Sequence, residues 1–138
     1  MRNNKKQMTP IAVYGTLLDG EWNSFLWRGR ARSESCIIHD CALVTVNGHF
    51  PYGVVTPDSQ TVGELIWPEA HHYEAVLQRL DMLEGVPTHY DRRLVRTTTK
   101  DGEVWAWAYV VDDLWTNNYV VIPNNDWRSF VAKESTIR

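Results

Sequence analysis

Residues 90–111, YDRRLVRTTTKDGEVWAWAYVV, decide the architecture. Tyr90–Thr99 reads as a strand, Lys100-Asp101-Gly102 as a turn, and Glu103–Val111 as a second strand returning beside the first. Strand side chains alternate between faces. Trp105, Trp107 and Tyr109 therefore share one face, and Val104, Ala106, Ala108 and Val110 the other. An aromatic row opposite a small-aliphatic row suits a curved sheet that packs bulk on one side and something close on the other.

Upstream, Glu69–Leu83 is the clearest helix. Tyr73, Val76, Leu77, Leu80 and Leu83 fall at the spacing of one helical face. Pro68 precedes it, Gly85 is placed as a helix-ending glycine, and Pro87 blocks continuation. Before the helix the pattern is strand-like. Pro10–Tyr14 is short, apolar and closed by Gly15; Cys36–Val46 holds two apolar stretches; Asn47-Gly48 is a hairpin turn. Tyr52–Thr56, bounded by Pro51 and Pro57, and Thr61–Trp67 read as two separate strands. Asp19-Gly20 marks a turn, and residues 21–28 suit a short helix with Trp22, Phe25, Leu26 and Trp27 turned inward. Near the C-terminus Val120–Ile122 is a short strand at most, and Asn124–Phe130 a polar loop ending in aromatics. About six or seven strands, one long helix and one short one imply an α+β domain with a small, largely antiparallel sheet or barrel, not a doubly wound sheet.

Length and composition suit that reading. A chain of 138 residues, 43% hydrophobic and 22% charged, is one globular domain with a real core. We place it at residues 10–132, between a flexible N-terminal tail (1–9) and a C-terminal tail (133–138). The net charge of −3 argues against a nucleic-acid partner, because counterion displacement needs a basic surface. Arg92, Arg93 and Arg96 are too small a cluster to alter that. Two cysteines make no disulfide framework, which points to a reducing cytoplasm. The basic opening MRNNKKQ has no apolar run after it, and no stretch is long enough to span a membrane. Seven Trp and six Tyr are many for this length, and suit both a filled core and an aromatic-lined pocket.

The chemical motifs are few. Phosphate-cradling loops, dinucleotide fingerprints and nucleophile elbows are absent. Cys36, His39 and Cys41 match no zinc spacing, His71-His72 reads as a solvated helix start, and no metal is expected. His49 and His89 lie in turns beside aromatics, and Asp112-Asp113 reads as a solvated loop. Asp81 and Glu84 are three apart on one helix, so they cannot flank a glycosidic bond from two sides. Glu84 stands out alone: a carboxylate at a helix C-terminus meets the negative end of the dipole. That setting, with aromatics nearby, should raise its pKa and suit it to proton shuttling near neutrality. Tyr14-Gly15-Thr16-Leu17 runs from a strand into a turn whose successive N–H groups can cradle a carboxylate or oxyanion, with Gly15 allowing close approach of a ligand.

Together these two points resemble the gamma-glutamylcyclotransferase family, gamma-glutamylamine cyclotransferases included. Val13–Leu17, followed by Gly20 and Asn23, resembles the family's opening signature. Leu80–Pro87, then Tyr90 and Arg92 or Arg93, is similar to its second. Phe50-Pro51-Tyr52 and Asp126-Trp127 with Phe130 match weaker positions, so the resemblance spans residues 11–130. The family often has a glycine before the Asp-Trp pair; here Asn124-Asn125 precede it, and Asn tolerates a left-handed backbone.

The resemblance implies a small mixed, largely antiparallel β-barrel flanked by helices. It also implies an enzyme that cyclises the γ-glutamyl group of a γ-glutamyl amide, releasing 5-oxoproline and a free amine, with no covalent intermediate and no cofactor. Glu84 would be the acid/base. Tyr14, Gly15, Thr16, Leu17 and Tyr90 would bind the small-molecule substrate. Such a protein is expected to be a monomer or weak homodimer. The rival is a non-catalytic small-ligand-binding barrel of the same fold.

Overall fold

Asn47-Gly48 folds residues 31–68 into one long ribbon, with Gly48 at a φ of 82° that a side chain would strain. A computed structural model describes residues 8–85 and 90–137. Its strands are β1 (Ile11–Val13), β2 (Ala31–Thr45), β3 (Pro51–Pro68), β4 (Asp91–Thr99), β5 (Gly102–Val110) and β6 (Val120–Val121). Two α-helices follow β3 and β6: α1 (Tyr73–Glu84) and α2 (Trp127–Ile137). The sheet order is β3-β1-β5-β4-β2, and β2 pairs with β3 again, so five strands close into a mixed barrel. β1 and β5 run parallel; the other barrel pairs are antiparallel. β6 extends the edge of β2 at Val44 and Thr45.

The ribbon bends where the sequence suggests a break. Pro57 does not end a strand; β3 is continuous through it. The register slips between His39 and Cys41, and Asp40 and Asp58 both take left-handed φ, 59° and 68°. The Asp58 N–H donates to Asp40 Oδ1 at 2.9 Å. This bulge lets the tip of the ribbon turn back, so that Val54 meets Val111 in a parallel bridge. The core lies inside the barrel and under α1, with Ile11, Leu43, Leu65, Ile66, Val76 and Leu80 fully buried.

Several expectations need correction. Residues 21–28 form only a 3₁₀ turn at Ser24–Leu26. Of its aromatics Trp27 alone is buried, because its indole N–H reaches the Leu17 carbonyl at 2.8 Å; Trp22 is 84% and Phe25 65% exposed. Asn124–Phe130 is not a loop throughout. Asp126 accepts from the Ser129 N–H and hydroxyl and starts α2, which continues through 133–137, where a tail is expected from sequence. Asn124 and Asn125 both adopt left-handed φ, 59° and 49°, the conformation a glycine would take there. The face of Trp105, Trp107 and Tyr109 is graded rather than uniform. Trp105 is 60% exposed, Trp107 lies 4.7 Å under the Arg92 guanidinium, and Tyr109 is buried; the opposite Ala106, Ala108 and Val110 form core. In α1, Tyr73, Val76, Leu77 and Leu80 face inward as read, but Leu83 is 42% exposed. Among the described residues no helix is long and apolar enough to cross a membrane.

The barrel is tightest at Gly63. A Cβ there would lie 2.5 Å from the Val13 carbonyl oxygen and 2.8 Å from Ile38 Cδ1. Gly63→Ala should therefore lower stability by about 3 kcal/mol through overpacking. Gly20→Ala, with open space but a φ of 84°, should cost about 1 kcal/mol. Urea unfolding midpoints would rank the two, and equal midpoints would refute the tight contact.

Candidate active site

β1 ends at Val13, and the next four residues turn across the mouth of the barrel. Tyr14 points inward and is held from two sides: its hydroxyl donates to the Tyr109 carbonyl at 2.6 Å and accepts from the Gly53 N–H at 3.1 Å. Gly15 is needed for a reason other than the one read from sequence. A Cβ on it would lie 2.5 Å from Pro51 Cγ, so its bareness admits the Pro51 ring rather than a ligand. The turn closes through Leu18 N–H to Gly15 O at 3.0 Å. Asn23 pins Thr16 twice, N–H to O at 2.8 Å and Nδ2 to Oγ1 at 2.9 Å. Among the described residues, the N–H groups of Gly15, Thr16 and Leu17 have no acceptor and remain available as donors.

α1 brings Glu84 to the same place. Its last turn is closed by Gly85 at a φ of 67°, whose N–H reaches the Asp81 and Met82 carbonyls. Asp81, one turn earlier, accepts from the Tyr109 hydroxyl at 2.8 Å and lies 3.2 Å from Arg92 Nε. The helix end is thereby tied to β4 and β5. Glu84 has no such partner: among the described residues nothing hydrogen-bonds or ion-pairs with its carboxylate.

One cavity of about 360 Å³ joins these groups. All six residues singled out from sequence line it: Tyr14, Gly15, Thr16, Leu17, Glu84 and Tyr90. His49 also lines it, whereas His89 lies outside the described residues. Sequence reasoning misses the rest of the wall, chiefly Trp22, Asn23, Phe50, Leu83 and Tyr109. Asn23, Phe50 and Leu83 stand in the stretches that carry the family resemblance, but nothing local marks Trp22 or Tyr109 as part of the wall.

Burial pushes the Glu84 carboxyl up to about 7. The phenols of Tyr14, Tyr90 and Tyr109 are pushed up by the same cause, burial first, so they stay neutral donors at physiological pH. Elsewhere, the arginines of β4 are each engaged: Arg93 with Asp91 and Asp112, both at 2.8 Å, and Arg96 with Glu103 at 2.7 Å. Glu69, His71 and His72 bring potential ligand atoms within 4.8 Å of one another at the surface before α1, a grouping not expected from sequence.

The Glu84 shift bears on stability. Folded Glu84 keeps its proton up to about pH 7; unfolded, it releases it near 4.5. Below pH 4.5 both states hold the proton, and above 7 the fold carries a buried charge. Stability should thus fall as pH rises from 4.5 through 7, by about 3 kcal/mol at 1.4 kcal/mol per unit. Glu84→Gln should raise the Tm at pH 8 and barely change it at pH 4. An equal difference at both pH values would show that burial of this charge is not the cause.

The sequence model of the family described as gamma-glutamyl cyclotransferase, AIG2-like, matches residues 11–129. A curated relative from Methanocaldococcus jannaschii, named "Putative gamma-glutamylcyclotransferase MJ1514", is 26% identical over 111 residues, covering 74% of this chain and 83% of its own. Among solved structures, the uncharacterized protein PH0828 from Pyrococcus horikoshii superposes with a TM-score of 0.65 at 22% identity, over 93% of this chain and 97% of its own. An AIG2-like protein from Mus musculus superposes at 0.58 and 19% identity, over 75% and 77%. The two structures share the barrel fold, and the family match spans both the Tyr14–Leu17 turn and Glu84. The chain belongs to the gamma-glutamylcyclotransferase, AIG2-like family.

Proposed function

We propose that the protein converts a γ-glutamyl amide into 5-oxoproline and a free amine, with Glu84 as acid and base. One observation carries this: a carboxyl with a pKa of about 7 shares a cavity with three backbone N–H groups, and among the described residues neither has a partner. The nucleophile is the substrate's own α-amine, so the chemistry asks for no serine, cysteine, metal or cofactor. It asks for a curled substrate, a base for the ammonium and donors for charged oxygens.

The Gly15–Leu17 donors would take the substrate's carboxylate or the developing oxyanion. Glu84, ionised, would accept a proton from the α-ammonium. The freed amine attacks the γ-carbonyl carbon and a new C–N bond closes the five-membered ring. Glu84, now protonated, gives that proton to the departing nitrogen as the original amide C–N bond breaks. It then takes the proton lost by the ring nitrogen and passes it to the released amine, which leaves as an ammonium with Glu84 ionised again. Holding the substrate curled supplies much of the rate, since well-oriented intramolecular reactions reach effective molarities of about 10⁵–10⁸ M.

A panel of γ-glutamyl amides, with 5-oxoproline followed by mass spectrometry, tests the reaction. The wild type should form product, and Glu84→Gln should lose at least about 100-fold in kcat, the range of general acid–base catalysis. Because the base must be ionised, kcat/KM should rise with pH through about 7. Binding without turnover by the wild type would favour the non-catalytic barrel. Gly15→Ala, which drives Pro51 and the turn apart, should lower kcat/KM by about 10- to 100-fold, the cost of misplacing reacting groups by roughly 1 Å.

A further inference from the structure

The cavity has two chemically different ends. The inner end is lined by the Gly15–Leu17 turn, whose N–H groups have no acceptor among the described residues, and by Glu84. The outer wall is apolar: Trp22, Phe50 and Leu83, with His49 beside them. Among the described residues of the lining, Glu84 is the sole acid, and no Lys or Arg is present. Among the described residues His49 is the one group on this wall that could meet the carboxylate of an amino-acid leaving group, and no acid stands there for the ammonium of an alkyl diamine.

Trp22 is the informative residue. Trp22, 84% exposed, stands with half-buried Phe50 and partly exposed Leu83 along one wall, a contiguous apolar patch rather than a lone surface residue. Its backbone is nevertheless held: it sits between Glu21, whose N–H reaches the Leu18 carbonyl at 2.9 Å, and Asn23, doubly bonded to Thr16. The ring is thus an exposed apolar surface on a fixed stalk at the pocket wall, where a molecule entering the pocket would meet it.

We infer that the leaving amine is an uncharged-side-chain, apolar amine, aromatic or branched, seated between Trp22, Phe50 and Leu83. This rests on the cyclisation reading for its γ-glutamyl end, but the preference itself concerns binding. Burial of a ring against Trp22 and Phe50 would add hydrophobic area and edge or offset stacking.

The test compares γ-glutamyl-benzylamide with γ-glutamyl-glycine and ε-(γ-glutamyl)-lysine, which share the same γ-glutamyl end. The benzyl amide should have the highest kcat/KM, by about 10-fold, with the difference in KM, as expected of one aromatic contact. Trp22→Ala should shrink the benzyl-to-glycine ratio at least 5-fold, and Trp22→Phe should restore most of it; such an exposed residue can be truncated without unfolding the chain. A faster glycine or lysine amide, or an unchanged ratio in Trp22→Ala, would overturn the inference. So would loss of a dimer in sedimentation of Trp22→Ala with the ratio intact, since the rim would then be covered by a second copy. If no amide turns over, calorimetry decides separately. Tighter binding of the benzyl amide, abolished by Trp22→Ala, supports the apolar subsite while the reaction fails; equal or absent binding of all three overturns it.

Discussion

The phenol of Tyr14 is the contact on which the site depends. β1 lies between β3 and β5 for only three residues. Where it leaves, the bent tip of the β2–β3 ribbon meets β5 at Val54 and Val111, and the Tyr14 hydroxyl links the two by bonding Gly53 and Tyr109. A Cβ on Gly53 would sit 2.9 Å from the Tyr14 ring, so a glycine is required opposite it. With Tyr14 placed, Gly15 must pass Pro51, and the chain turns along the cavity wall through Thr16 and Leu17. Tyr109, whose carbonyl receives Tyr14, uses its own hydroxyl to hold Asp81. One connected set of bonds thus locates both the donor turn and the helix end that carries Glu84.

This arrangement gives two neighbouring carboxylates opposite lives. Asp81 and Glu84 are one turn apart on α1, yet Asp81 is engaged by Tyr109 and Arg92 while Glu84, half-buried, has no partner among the described residues. Separating the environments of nearby acids is a general way to make one structural and the other reactive. The cost falls on the fold, which must hold an unpaired carboxylate whenever the pH exceeds about 7. Residues that weaken a fold where they serve a reaction are expected at sites of chemistry.

Local signals carry the outline of the fold, and non-local ones complete it. The 90–111 hairpin, the Asn47-Gly48 turn and the α1 stripe with its Gly85 cap depend on residues within a few positions of each other, so they are legible in the sequence. Barrel closure depends on β1 reaching β3 and β5 and on β2 reaching β4, pairings that no local pattern encodes. Pro57 misleads because its effect is absorbed by a bulge that needs Asp40 from the other strand. The start of α2 is readable in principle from Asp126 and Ser129, an N-cap spacing obscured by the asparagines before it. For the site, Glu84 and the Tyr14–Leu17 turn announce themselves by unusual local chemistry. Trp22 and Phe25 are expected inward because large aromatics usually are; an indole facing solvent is visible only once the Leu17 carbonyl is seen to accept Trp27 instead.

The loop that carries Trp22 is also firmly anchored on this side of the barrel. Glu64, nearly buried in β3, accepts the Asp19 N–H at 2.8 Å and Arg128 of α2 at 2.9 Å. Arg128 in turn donates to the Asp19 carbonyl and lies 3.7 Å from Glu21. Interior and C-terminal helix thus clamp residues 19–21, while Asn23 and Trp27 fasten the loop to Thr16 and Leu17. A ligand meeting Trp22 would have little backbone left to order, so more of the interaction energy would survive as affinity. The same clamp holds the N–H turn, so in the proposed reaction the recognition of both substrate ends would rest on one rigid segment. Changes of rim side chain could then alter which amine is accepted without disturbing the donors or Glu84.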